Sequence, residues 1–483
     1  MNSQLEIVKK ASILIERKLF IEAKKILLNF ININKNLKID LKLYYSLYLV
    51  FDGLNEVANA KKYLEKCLKI NKKNHIIFNN LANIYLKNNQ VKEAEKFYLK
   101  SIFIKKDYLL AIVNLAILYQ NTGNLENSKH YYLEAIKISP EQISIYFNLS
   151  RIDKHFIDQD KIEYLRSLMQ SKKLDPSELA YGYFILAEYE KKKKNFTLEI
   201  DYLKKGNEHS FESNRKNNIQ TLNYWQNIIS KNYKNFKFTN NHHKNDLKNF
   251  KPIFIIGLPR SGSTLLEVLL LSGSKNIRSL GESNIFNGII ANNLSSESKT
   301  DVNLKHIEEK IIEILDNKNF DIKNKIFVDK SLENFFYIDV ILKVFPKAVF
   351  IHTKREIEDN IIAIYQQSLS KISWSHTLEN IIDYIDNYSK ISSYFNKKYP
   401  KHFFNVDLEK LTNKPEEISK EVYSFCDLKW TPKVLNNVSN SNILISTASN
   451  VQIREKIKKY DKEKYKPYKD LLNFFYGKYN WLN

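Results

Sequence analysis

The stretch 252–272, PIFIIGLPRSGSTLLEVLLLS, concentrates groups able to grip an anion. Arg260 carries a planar fork of donors suited to phosphate. Ser261, Ser263 and Thr264 add hydroxyls, and Gly262 lets the backbone approach an oxyanion closely. The flanks say how these groups are held. Ile253 to Ile256 form a short apolar run, as expected of a buried parallel strand. Thr264 to Leu271 read as a helix with an apolar face. Strand, turn and helix in that order bring amide hydrogens and the positive end of a helix dipole to the turn.

The spacing also tests a rival chemistry. Gly257, Gly262 and Thr264 match three positions of the Walker A loop, but Ser263 stands where that loop needs its lysine. A kinase or ATPase places that lysine on the terminal phosphates. Here the positive charge sits inside the turn, at Arg260. Further polar groups follow in order. Leu280-Gly281-Glu282 comes just past the first helix. In IFVDKSLENF, 326–335, a second strand from Ile326 to Val328 ends at Asp329 and Lys330. Active groups of open α/β sheets gather at such strand ends. In AVFIHTKREIEDNIIAIYQQS, 348–368, a strand from Ala348 to His352 leads to a basic turn with Arg355, then a helix. His352 reads equally as packing or as function. Phe403 to Val406 give a further strand.

In this order the segments resemble the bacterial sulfotransferases joined to tetratricopeptide repeats. They resemble the tyrosylprotein sulfotransferases more distantly. The resemblance spans about 252 to 468. The turn is similar to the family's PRSGTTL, with Ser263 for one threonine. Lys330 and Asn334 align with the family's DKxPxNF, with Leu332 for the proline. Arg355 and Asp359 align with RDPxDxxxS, where Glu356, Ile357 and Ala363 depart from it. Trp374, Leu378, Tyr384 and Tyr388 resemble a WSxDL segment and its helix, read as packing over the site. Glu409 and Pro415 match YExLxxxP, and Leu408 replaces its tyrosine. Phe425, Leu428 and Trp430 match an FCGLPW-like helix end. Thr447, Ala448, Ser449, Gln452 and Arg454 match TASxxQVR, with Lys456 for a later proline.

The resemblance implies an enzyme that moves a sulfuryl group from 3′-phosphoadenosine 5′-phosphosulfate (PAPS) to a hydroxyl acceptor. It implies Glu282 as general base, a role that burial would favour, with Lys330 and Arg260 offsetting charge on the transferring group. Arg260, Ser261, Gly262, Ser263 and Thr264 would hold the 5′-phosphosulfate and Arg355 the 3′-phosphate. Ser449 and Arg454 are expected contacts of a segment folding over the nucleotide. Asp329 orients Lys330 or caps the next helix. No metal is expected, since Thr264 alone does not make a Mg²⁺ site. Two alternatives stay open: a P-loop kinase or NTPase, and an adaptor with a degenerate nucleotide fold.

The first half repeats itself every 34 residues. Leu47, Leu81, Leu115 and Leu149 fall in register, as do Ala60, Ala94 and Ser128, and Tyr98 with Tyr132. Gly123 or Asn88 marks the turn inside a unit, and Pro140 ends one. These columns resemble a tetratricopeptide repeat, good over 75–148, fair over 42–74 and weak over 5–35. The segment 178–208 reads as another helix pair whose register has drifted. Such repeats imply a surface for a protein or peptide partner, or a spacer or dimerisation arm.

The expected architecture is therefore all-α repeats over 1–230, a polar linker at 231–251, and an α/β P-loop-like domain with a parallel sheet over 252–483. His242 and His243 are read as linker residues. The 43% hydrophobic content, with 30 Tyr and 28 Phe among 483 residues, excludes a disordered chain. The net charge of +22 favours anionic partners, but the lysines are scattered and no nucleic-acid module is present. Two distant cysteines, Cys67 and Cys426, argue against a disulfide scaffold and a cysteine zinc site. No signal peptide or spanning stretch is seen, so a cytoplasmic protein is expected, with a homodimer open to it.

Overall fold

The computed structural model describes residues 4–239, 246–273, 277–291, 300–317, 320, 325–436, 444–445, 447, 450–451, 453, 457–479 and 481–482. Contacts divide the chain into two units. One is built from Met1–Gln120, Asn124–Pro140 and Ile314–Phe320; the other from Asn121–Gly123, Glu141–Glu313 and Asp321–Asn483.

The first unit is a run of helix pairs: Gln4–Glu16 with Phe20–Ile33, Leu41–Gly53 with Val57–Ile70, and His75–Lys87 with Val91–Ile104. Leu109–Thr122 and Leu125–Ile138 continue the pattern. Each pair turns on one left-handed residue: Lys18, Asn55, Asn89 and Gly123, with φ of 59°, 57°, 57° and 86°. The turn residue expected at Asn88 is thus its neighbour. Asn88 closes the helix before it, and Asn89 takes the positive φ that asparagine tolerates. The repeat columns are buried as their spacing requires. Leu47, Leu81 and Leu115 are at most 1% exposed, and Ala60, Ala94 and Ser128 are at 0%. Ser128 fits a column of alanines because its hydroxyl donates to the Ala116 carbonyl at 2.8 Å.

In the second unit, helices Ile143–Ile152, Gln159–Ser171, Pro176–Lys192, Phe196–Glu212 and Arg215–Asn223 lead to a π-helical turn, Tyr224–Ile228. The drifted pair turns on Lys194, φ 59°, as the repeat pairs do. The strands follow. They are β1 (Lys237–Thr239), β2 (Ile253–Gly257), β3 (Arg278–Ser279), β4 (Asp301–Asn303), β5 (Phe327–Asp329), β6 (Val349–Lys354) and β7 (Phe403–Asp407). Five form a parallel sheet in the order β3-β5-β2-β6-β7, and β1 pairs with β4. β2 lies central, with Ile253 opposite Val328 on one side and Val349 on the other. Both its faces are covered. Ile253 and Ile255 pack with Leu266, Leu269 and Ile351. Phe254 stacks on Phe350 on the other face, at 5.6 Å.

One boundary differs from the sequence reading: β6 runs to Lys354, so His352 lies within the strand. The helices after 176 bind the α/β part directly. Asn207 Nδ2 donates to the Tyr365 carbonyl at 3.0 Å, and Tyr468 donates to buried Glu199 at 2.7 Å. Tyr224 and Tyr337 share a hydroxyl bond of 2.7 Å. His242 and His243 lie outside the described residues.

Leu115 fills a fully buried column position. Leu115→Ala should cost about 2–5 kcal/mol, read as a lower urea midpoint of the repeat unit's transition. A loss below about 0.5 kcal/mol would contradict the assigned packing.

Candidate functional site

β2 ends at Gly257, where a Cβ would stand 2.5 Å from the Thr353 carbonyl oxygen of β6. The chain then turns through Arg260 at φ 67° and Gly262 at φ 91° and enters helix Ser263–Ser272 at once. Left-handed steps just before a helix start turn amide hydrogens into a concave cradle. The first amides of a helix have no partner within it, and Gly262 brings no capping side chain.

Three side chains hold this turn from behind. Ser261 Oγ donates to the Leu258 carbonyl at 2.6 Å and meets Thr353 Oγ1 at 2.7 Å. Buried Asn360 donates through Nδ2 to the Pro259 carbonyl at 2.7 Å. Arg355 donates through Nη1 to the Arg260 carbonyl at 3.1 Å. A planar trans peptide sets its N–H opposite its C=O. The amides of Arg260 and Ser261 therefore point away from Asn360 and Arg355. Burial lowers the Arg260 pKa, against the pull of Tyr465. An arginine keeps its charge nonetheless.

Arg355 is itself braced. Its Nε donates to Tyr460 Oη at 3.2 Å, and Tyr460 donates to Asp359. The Tyr465 ring lies 4.8 Å from the guanidinium, within cation–π range. Thr264 Oγ1 sits 3.2 Å from Thr447 Oγ1. Ser263 starts the helix and is buried. Ser449 and Arg454 lie outside the described residues, as do Ala448, Gln452 and Lys456.

A second group of charges surrounds Lys330, just past β5. Lys330 is 1% exposed, with Nζ 2.7 Å from Glu282 Oε1 and 3.8 Å from Glu267 Oε2. Burial works against its ammonium, but the charges of Glu267 and Glu282 outweigh it and raise the pKa. Glu282 is half exposed, so the burial expected of a base falls elsewhere. Burial lifts the Glu267 carboxyl despite Lys330, and Ser279 Oγ donates to it. Burial also pushes the Glu333 carboxyl up to about 7, with the nearby Glu282 charge adding to the rise. Asp329 is structural. It accepts from the Ser331 amide and Asn334 Nδ2, both at 2.9 Å, and from Ser283 Oγ.

Sequence reasoning missed Asn360, Glu267 and Glu333 as members of the site. Two had a signal: Glu267 is a lone charge in an apolar helix, and Asn360 a lone amide before IIAI. Glu333 had none. His352 is packing, with its ring nitrogens on Asn405 Oδ1 and Tyr388 Oη and its pKa pushed down to about 3 by burial. Trp374 stacks on Tyr384 at 3.8 Å. Among the described residues no group of three or more His, Cys, Asp or Glu is placed to hold a metal ion, and no helix is long and apolar enough to cross a membrane.

Removing Lys330 would strand the buried Glu267 carboxylate. Lys330→Met should destabilise the second unit by about 3–5 kcal/mol, and Lys330→Met with Glu267→Leu should recover much of that. Equal losses in both variants would contradict the pairing. His352 and His376 are held down to about 3 and about 4 by burial, from an ordinary 6.5. Their stabilisation is therefore full above pH 6.5 and is lost as pH falls through about 4 and on to about 3. His352→Gln should flatten the decline of the thermal midpoint across that window; an unchanged slope would contradict the assignment.

Residues 252–432 match the model of the sulfotransferase family. Tetratricopeptide-repeat models match 41–74, 63–96 and 110–142. An uncharacterized protein of Aquifex aeolicus (strain VF5) is 26% identical over 344 residues, which cover 65% of this chain and 43% of that protein. The chain thus spans less than half the length of this curated relative. The sulfotransferase domain of the Synechococcus PCC 7002 olefin synthase is 18% identical, with a TM-score of 0.33 over 46% of this chain and 90% of that one. PilF of Pseudomonas aeruginosa is 15% identical, with a TM-score of 0.32 over 41% of this chain and 87% of that one. On the family matches, the chain carries tetratricopeptide repeats followed by a sulfotransferase-family domain.

Proposed function

We propose that the domain beginning at residue 252 transfers a sulfuryl group from PAPS to a hydroxyl acceptor. The observation that supports this most is the turn at 258–262. Its carbonyls are tied back by Ser261, Asn360 and Arg355, and its amides open at a helix start beside Arg260. The fit to a phosphosulfate is chemical: amide donors and a guanidinium suit a spread anionic charge. Ser261 contributes its amide rather than its hydroxyl, which is already engaged. Arg355 offers its remaining donors to the 3′-phosphate. Ala363 brings no hydroxyl there. Ser449 and Arg454 complete the nucleotide contacts in this reading, and the repeats hold a protein or peptide partner.

In the reaction an acceptor oxygen bonds to sulfur as the sulfur–oxygen bond to the 5′-phosphate breaks. The bonding pair leaves on the phosphate oxygen. The acceptor proton passes to Glu282, and sulfated acceptor and PAP depart. Protonating Glu282 removes the anion paired with Lys330 at 2.7 Å. Lys330 is thereby released to the leaving oxygen as charge builds there. The work is positioning and electrostatics, with no covalent enzyme intermediate.

Calorimetric titration with PAP tests the cradle. Wild type should bind, and Arg260→Ala should weaken binding about tenfold or more. Equal binding by both would overturn the assignment, and Mg²⁺-dependent ATP hydrolysis would favour an NTPase. Turnover of labelled PAPS with cell extract tests the base. Glu282→Gln should abolish labelling and Glu333→Gln retain it; the reverse outcome moves the base to Glu333, whose carboxyl burial pushes up to about 7.

A further inference from the structure

In the first unit, successive helix pairs are joined at 34–40, 71–74 and 105–108. The three joints share a composition that the repeat fold does not require. Each carries two lysines and at least two large apolar side chains in or beside it. They are Ile33, Lys35, Leu37 and Lys38 in the first, and Ile70, Lys72, Lys73 and Ile76 in the second. Phe103, Ile104, Lys105, Lys106 and Leu110 make the third. The next joint, 139–142, reads SPEQ, and the pattern stops there.

These side chains face solvent. Phe103 is 85% exposed, Ile33 72% and Leu110 59%. The lysines are exposed too, and among the described residues none of the six makes an ion pair or a side-chain hydrogen bond. Two acids stand in the same joints, Asp40 and Asp107, and Asp40 is occupied in accepting from the Leu43 amide at 2.8 Å. The joints are neighbours, because each pair ends against its own start. Cys67 Sγ lies 3.7 Å from the Leu41 carbonyl, and Ser101 Oγ donates to the His75 carbonyl at 2.7 Å. The His75 and Tyr108 rings then meet edge-on at 4.6 Å. One edge of the unit, away from the left-handed turns at Asn55 and Asn89, is thus both apolar and basic.

Single exposed apolar residues are ordinary, but a grouped set marks a contact surface. The charge and the shape say which. Six unpaired ammonium groups call for an anionic partner. A side chain as exposed as Phe103 has no wall beside it, so the edge is no groove cradling a peptide; the partner must come up to it. We propose that this edge of the repeat unit docks on an anionic lipid bilayer. Lysines meet lipid phosphates, while Phe103, Leu110 and Ile33 enter the headgroup boundary. The edge lies on the bilayer and does not cross it. This goes beyond the sulfuryl-transfer reading and does not depend on it.

The test is co-sedimentation of the full chain with vesicles of phosphatidylglycerol and phosphatidylcholine in equal parts, with phosphatidylcholine alone as a second arm. The mixed vesicles should bind the chain and the neutral ones should not. Lys105→Glu with Lys106→Glu should weaken binding about tenfold or more. Phe103→Ser with Leu110→Ser should do the same through lost apolar burial. Lys92→Glu with Lys96→Glu makes the same change in net charge at the other end of the helix Val91–Ile104, and should leave binding unchanged. No binding to the mixed vesicles overturns the proposal. An equal loss from both charge reversals would reduce it to attraction by net charge, and full binding by the serine variant would overturn the apolar contact. A lipid-free dimer in sedimentation velocity that the serine variant dissolves would assign the edge to a second copy instead. All substituted positions are exposed, and thermal unfolding confirms that each variant is folded.

Discussion

Three successive carbonyls, of Leu258, Pro259 and Arg260, each accept a hydrogen bond from a side chain behind the turn. The rest of the site depends on that arrangement. A turn that spends its amides on its own carbonyls cannot offer them to a ligand. Pro259 has no amide to spend, and Gly262 supplies the left-handed step into the helix. The donors come from three places: the turn itself, the helix Ile357–Tyr365, and the basic residue after β6. The parallel sheet brings them together, because β6 pairs directly with β2 and sets Thr353 opposite Gly257.

The same economy explains the second charged group. Lys330 is buried at the end of β5, on the other side of β2, and is kept charged by Glu267 and Glu282. One partner is buried and one is half exposed. The buried partner fixes the ammonium, and the exposed partner can meet a reactant. Asp329 ties the two loops around it by accepting from Ser283, Ser331 and Asn334.

The strand, turn and helix at 253–272 were legible because their residues are adjacent in sequence and each bears on one local unit. The repeats were legible because small and large residues recur at a fixed spacing. The supports were not. Asn360 lies about a hundred residues from Pro259, and nothing local says that its amide turns toward that carbonyl. Glu333 gains its character from burial beside Glu282, which only tertiary packing creates. The helices after residue 140 share their period with the repeats, and period reports a helix without naming what it packs against. Asn207 and Glu199, buried polar residues in that stretch, are the trace of their attachment to the α/β part.

Whether the amide cradle after β2 receives the nucleotide's 5′-phosphate without a metal is tested most directly by a crystal structure of the chain with PAP, grown in the presence of a chelator. The 5′-phosphate oxygens should lie within hydrogen-bonding distance of the amides at 261–264 and of the Arg260 side chain. A nucleotide ordered elsewhere, with the turn bare, would contradict this.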